Sequence, residues 1–149
     1  MILVLDDEPN IAAALRGALT NAGFRVRTAG TCDEAFAILG VDKPRLILSD
    51  INMPCRSGLE FVTELKKSEA TRNIPVIFIS AMSRPEDIQA GFDAGGADYI
   101  VKPFDCAHLL RTVRAEWGKT LEATHPRPSH VETTGNVPSG NGVPSGSGL

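Results

Sequence analysis

Along roughly the first 120 residues, short apolar runs take turns with longer stretches in which apolar positions recur every three or four residues. The runs are Ile2–Leu5, Phe24–Thr28, Leu46–Leu48, Val76–Ile79 and Tyr99–Val101. Runs this short, bounded by turn residues, predict strands. Between them fall Ile11, Leu15 and Leu19, then Ala35, Ile38 and Leu39, then Leu59, Val62 and Leu65. Ile88 with Phe92, and Leu109, Val113 and Trp117, follow the same spacing. Each set lies on one face of a 3.6-residue period and predicts an amphipathic helix. Side-chain chemistry marks the helix ends. Thr31-x-x-Glu34, Ser57-x-x-Glu60 and Ser83-x-x-Glu86 read as capping boxes, and Pro9 suits a first helical turn. Gly23, Gly40 and Gly95 stand where helices should stop.

Strict strand–helix alternation predicts βαβ crossovers: an α/β, doubly wound, five-stranded parallel sheet with helices on both faces, flavodoxin-like. The second run differs from the others, because Phe24, Val26 and Thr28 alternate with Arg25 and Arg27. That pattern suits an edge strand, as the order 2-1-3-4-5 requires. In this order the switch point lies between strands 1 and 3, and ligands bind beyond the carboxyl ends of the strands. Asp6 and Asp7 end strand 1, Asp50 ends strand 3, Ser80 ends strand 4 and Lys102 ends strand 5. All five are expected on one rim.

Length, charge and cysteine usage narrow the classes. The 149 residues fit one domain with length to spare, and the formal charge of −3 argues against direct nucleic-acid binding. Cys32, Cys55 and Cys106 form no C-x-x-C pair, so reduced thiols are expected rather than a zinc site or disulfide framework. The N-terminal apolar run ends at once in Asp6-Asp7-Glu8, unlike a signal peptide, and no run approaches a membrane span. A cytoplasmic protein without a membrane contact is the expectation. Residues 120–149 lose the apolar period, carry Val-Pro-Ser-Gly twice and read as a linker or disordered tail after a domain at 1–119. His125 and His130 fall in that tail and read as solvated residues.

Carboxylates gathered at one crevice repel unless a cation sits among them. Oxygen donors without convergent histidine or cysteine favour Mg²⁺ over zinc. With that charge neutralised, Asp50 can attack phosphorus as a nucleophile. Lys102 can pair with phosphoryl oxygens and the Ser80 hydroxyl can donate to one of them. Taken singly, each residue has a blander role: the acid pair as an N-cap region, Ser80 as a turn residue, Lys102 as a solvated lysine. Their common position at strand ends favours the chemical reading.

Ile2-Leu3-Val4-Leu5-Asp6-Asp7-Glu8-Pro9, Asp50-Ile51-Asn52-Met53-Pro54 with Gly58, Ser80-Ala81 and Lys102-Pro103-Phe104 resemble the motifs of two-component response-regulator receiver domains. The resemblance spans about residues 1–119. It implies a signalling phosphoacceptor rather than a metabolic enzyme, with Asp50 taking a phosphoryl group from a phosphohistidine of a sensor histidine kinase or phosphotransfer protein. It further implies Mg²⁺ held by Asp7, Asp50 and the Asn52 carbonyl, with Asp6 acting through water, and a cis bond before Pro103. Ser80 would move toward the phosphoryl group and Tyr99 would turn inward, switching a partner surface on the fourth helix, fifth strand and fifth helix. Asn52 and Met82 fall where such domains tune dephosphorylation. Arg56-Ser57 departs from the family's usual Asp-containing segment, placing Arg56 where it alters access to Asp50. Gly95-Gly96 replaces Gly-Ala, with a looser loop expected.

Three other readings carry less. A phosphohydrolase of the same chemistry needs an acid two residues past the nucleophile, where this chain has Asn52. A binding-only domain would be expected to lose an acid or the lysine. A flavin module lacks its phosphate-cradling loop after strand 1. The downstream protein or output domain, and a phosphorylation-dependent homodimer, are left open by the sequence.

Overall fold

The computed structural model describes residues 1–54 and 56–124, in which five strands and five helices alternate without interruption. In chain order they are β1 (Ile2–Leu5), α1 (Pro9–Asn21), β2 (Val26–Ala29), α2 (Cys32–Leu39) and β3 (Leu46–Asp50). There follow α3 (Gly58–Lys66), β4 (Val76–Ser80), α4 (Pro85–Asp93), β5 (Asp98–Val101) and α5 (Cys106–Thr124). All pairings are parallel and the sheet order is β2-β1-β3-β4-β5, as expected from the edge pattern of the second run.

Because successive strand residues face opposite sides, β1 feeds two cores at once. Leu3 and Leu5 join Ile47, Phe61 and Phe78 beneath α2 and α3. Ile2 and Val4 join Leu15, Leu48 and Val113 beneath α1 and α5. Every residue of β1, β3 and β4 is buried, which accounts for continuous apolar runs in place of alternation. Full burial of one such side chain stabilises by roughly 1.5–3 kcal/mol, so the central strands carry much of the fold.

Three boundaries differ from the sequence reading. The second strand begins at Val26, because Gly23 and Phe24 close α1 instead. Gly23 N–H donates to Thr20 O and Phe24 N–H to Leu19 O, both at 3.0 Å, with Gly23 at φ +98°. This is the double bond of a Schellman stop, and a positive φ suits glycine. Gly40 ends α2 with ordinary helical φ, so its identity is not demanded there. The cap of α4 lies at Arg84 and Asp87 rather than Ser83 and Glu86, since Pro85 occupies the first helical turn and moves the cap residue forward by one. Helix α5 continues to Thr124, past the expected end of the periodic region at 119. Cys55, His125, His130 and the remaining tail lie outside the described residues.

Candidate functional site

Parallel pairing brings the carboxyl ends of β1, β3, β4 and β5 to one rim. Leu5 pairs with Ser49 and Asp50 with Ile79, so Asp6 and Asp50 emerge side by side. Ser80 pairs with Val101, setting Lys102 opposite them. Lys102 Nζ donates to Asp6 Oδ2 at 3.2 Å and lies 3.4 Å from Asp50 Oδ2, bridging residues 96 and 52 positions away. Asp6 and Asp50 are buried, at 3% and 7% exposure. Asp7 is the more solvent-facing acid. Each of Asp6, Asp7 and Asp50 offers an oxygen within 4.8 Å of the others, a spacing that can hold a metal ion.

The backbone orients the two buried acids. Asp6 Oδ1 accepts the Glu8 N–H at 2.9 Å, and Asp50 Oδ1 accepts those of Ile51 at 2.7 Å and Asn52 at 3.3 Å. Burial pushes the Asp50 pKa above the usual carboxylate range; Lys102 pulls against this and Asp6 adds to it. For Lys102, burial alone would lower the pKa, but Asp50 and Asp6 outweigh it and the ammonium is held above its ordinary value. A single lysine against three carboxylates leaves net negative charge at the crevice, and hard oxygen donors alone supply it. These residues therefore suit a hard divalent cation.

Gly58, at the start of α3, sits directly over the Asp50 backbone. Its N–H donates to Ile51 O at 2.8 Å, and any Cβ there would overlap the Asp50 carbonyl oxygen. Ser57 caps this helix with a complete reciprocal box: Glu60 N–H to Ser57 Oγ at 3.2 Å, and Ser57 N–H to Glu60 Oε1 at 3.0 Å. Arg56 is exposed and its guanidinium lies 5.7 Å from the Phe36 ring centroid.

Ser80 is wholly buried, and its Oγ accepts the Met82 N–H at 3.1 Å. Tyr99, half-buried, donates its hydroxyl to Met82 O at 2.7 Å, and its ring centre is 6.3 Å from that of Phe78. Tyr99 thus already occupies an inward position. Asn52 is exposed, and the Lys102–Pro103 bond is cis. Two contributors escaped the sequence reading. Asp87 takes the N3 place of the α4 cap, a position that Pro85 signals in the sequence. Gly91 lines the Tyr99 ring, at a contact no local pattern reveals.

A doubly wound parallel sheet with three acids and a lysine at its switch point defines an α/β protein whose site is built for a cation and an anion together. The chain belongs to the family described as response regulator receiver domain, which matches residues 2–114. The transcriptional regulatory protein PrrA of Mycobacterium tuberculosis is 40% identical over 114 residues, covering 76% of this chain and 48% of that one. The phosphate regulon transcriptional regulatory protein PhoB of Pseudomonas aeruginosa is 35% identical over 119 residues, 80% of this chain and 52% of its own. The chain thus spans about half the length of these curated relatives. Among solved structures, chemotaxis protein CheY4 of Vibrio cholerae aligns with TM-score 0.73 at 32% identity, covering 76% of this chain and 95% of its own. The receiver domain of NtrX from Brucella abortus aligns with TM-score 0.74 at 32% identity, covering 79% and 98%.

Proposed function

We propose that the chain is a phosphoaccepting receiver in which Asp50 takes a phosphoryl group from a phosphohistidine of a sensor histidine kinase or phosphotransfer protein. The observation that carries this reading is the Lys102 ammonium between the buried carboxylates of Asp6 and Asp50, with Asp7 beside them. In the transfer, an Asp50 oxygen forms a bond to phosphorus as the P–N bond of the donor breaks. The imidazole nitrogen leaves with the electron pair. Two backbone N–H bonds hold the Asp50 carboxylate in a single orientation for this attack. Lys102 pairs with the phosphoryl oxygens, and Ser80, once its hydroxyl turns from Met82, donates to one of them.

Asp6, Asp7, Asp50 and the Asn52 carbonyl are the residues that would hold Mg²⁺. The ion would supply charge neutralisation between the acids and the incoming phosphoryl group. An open groove of about 620 Å³ runs from Asp6 and Asp7 along Ala12, Ala13 and Arg16 of α1, leaving room for a donor domain beside the site. Ser80 and Tyr99 carry the change to the surface of α4, β5 and α5, where a downstream protein or output domain, or a second copy of the chain, would read it. Direct nucleic-acid binding is not part of this reading. No helix of the described residues is long and apolar enough to cross a membrane. A cytoplasmic location follows from the donor, because phosphohistidine is charged from ATP. The segment after Thr124 would serve as a linker.

Incubation with Mg²⁺ and acetyl phosphate, followed by intact mass measurement beside Asp50→Ala, tests the proposal. One labile phosphoryl group on the native chain and none on the variant is expected. Equal modification of both would assign the chemistry to another residue.

A further inference from the structure

The loop from Ser80 to Arg84 is tied at three points. Met82 N–H donates to Ser80 Oγ, Met82 O accepts the Tyr99 hydroxyl, and Arg84 N–H donates to Asp87 Oδ2 at 3.3 Å. The last tie is reinforced, since Arg84 Nε and Nη2 donate to the two oxygens of Asp87 at 3.0 and 3.1 Å. Such a fork fixes orientation as well as distance. The Asp87 side chain is 9% exposed and that of Arg84 70%, so a surface cation is anchored to a buried acid. Pro85, lacking an N–H, offers the junction no donor of its own.

Tyr99 lies in a slot built largely by this same segment. A Cβ on Gly91 of α4 would sit 3.1 Å from the Tyr99 ring, so the ring rests almost on the helix backbone. Its hydroxyl reaches the loop at Met82, and Phe78 of β4 closes the inner side. Two of these contacts, Gly91 and Met82, flank the Arg84–Asp87 junction in sequence. Burial raises the Tyr99 hydroxyl pKa, and the Asp87 charge adds to this.

We propose that Arg84 and Asp87 are positioning residues whose fork sets the junction between the β4–α4 loop and α4, and thereby holds Tyr99 inward in the unphosphorylated chain. The inference rests on the receiver reading, which makes Tyr99 the switch residue, and it deepens that reading. If inward Tyr99 and phosphorylated Asp50 favour one another, a pair that stabilises the first also favours the second. The pair then sets how far the resting domain already leans toward its switched form.

The chain has one tyrosine, so biosynthetic incorporation of fluorotyrosine gives a single ¹⁹F resonance without assignment. Its broadening by a soluble paramagnetic agent, measured without phosphodonor, reads how often Tyr99 is exposed. Wild type should be protected. R84A and D87N should raise the exposed population by on the order of tenfold, the loss expected for a charge-assisted hydrogen bond. R84K, which keeps the charge without the fork, should fall between. S57A, which loses a cap at a different helix, controls for lost stability and should leave Tyr99 protected. Cooperative melts followed by the single Trp117 show which variants are folded. Arg84 is mostly exposed, so R84A decides the matter should D87N not fold. An unchanged resonance in folded R84A, or equal exposure in S57A, overturns the proposal. Failure of wild type to accept phosphate on Asp50 would instead overturn the receiver chemistry, whatever Tyr99 does.

Discussion

Asp50 is held in a state that is costly for a carboxylate and useful for a nucleophile. Burial raises its pKa, with Lys102 opposing and Asp6 adding. A carboxyl whose folded pKa lies above its unfolded value favours folding below the unfolded pKa, and that contribution is lost as pH rises through the folded pKa. Ionised Asp50 therefore costs stability at neutral pH. Asp50→Asn is expected to melt higher than wild type at pH 7 without divalent cations, and the gain should vanish by about pH 3, below the ordinary carboxylate range. Thermal melts across that range check it; an equal gain at every pH would mean that charge is not the cause. Only part of this was legible beforehand. The common rim of Asp50 and Lys102 follows from their positions at strand ends, but their pairing depends on packing, and the two amide bonds to Asp50 depend on the turn at Ile51 and Asn52.

At the scale of elements, helix ends set the accuracy of the whole. Residues at α1 and α3 spoke locally: Pro9 and the Ser57–Glu60 box mark their starts, since a cap needs only neighbours within three residues. Ser83–Glu86 carried the same letters but lost to Pro85, whose fixed φ and missing N–H dictate the first turn. Thr31 caps α2 as expected, while Glu34 reaches one residue further, to Gly30 N–H at 2.6 Å. Gly95-Gly96 stands in the loop before β5, where the structure gives Gly96 a packing role. Gly96 N–H donates to Gly91 O at 2.9 Å, and a Cβ on Gly96 would lie 2.6 Å from the Phe78 ring. Gly96 is thus matched to a large core residue. Gly96→Ala is expected to cost about 1–3 kcal/mol by overpacking, and pairing it with Phe78→Leu should recover part of the loss in denaturant melts.

For the molecule as a whole, the crevice behaves as an electrostatic unit that unites distant parts of the chain. Lys102→Ala leaves Asp6 and Asp50 facing each other without their cation. It should cost about 1–3 kcal/mol at neutral pH, as expected when buried charged groups lose a partner. Millimolar Mg²⁺ is expected to raise the melting temperature of wild type and of Lys102→Ala, because the binding residues named above are intact in both. Asp50→Asn should respond weakly. A Mg²⁺ response unaffected by Asp50→Asn would remove that residue from the cation site.

The sequence by itself determined the five strands and helices, the edge position of β2 and the gathering of Asp6, Asp7, Asp50, Ser80 and Lys102 on one rim. Periodicity and strand-end position are local signals, and parallel βαβ topology converts them into a shared location. Tertiary structure alone decided the inward seat of Tyr99, the fit of Gly96 to Phe78 and of Gly58 to the Asp50 backbone, and the bridge from Lys102 to two acids. Those depend on distances between backbones brought together by packing, at separations of up to 96 residues, where sequence spacing carries no metric information.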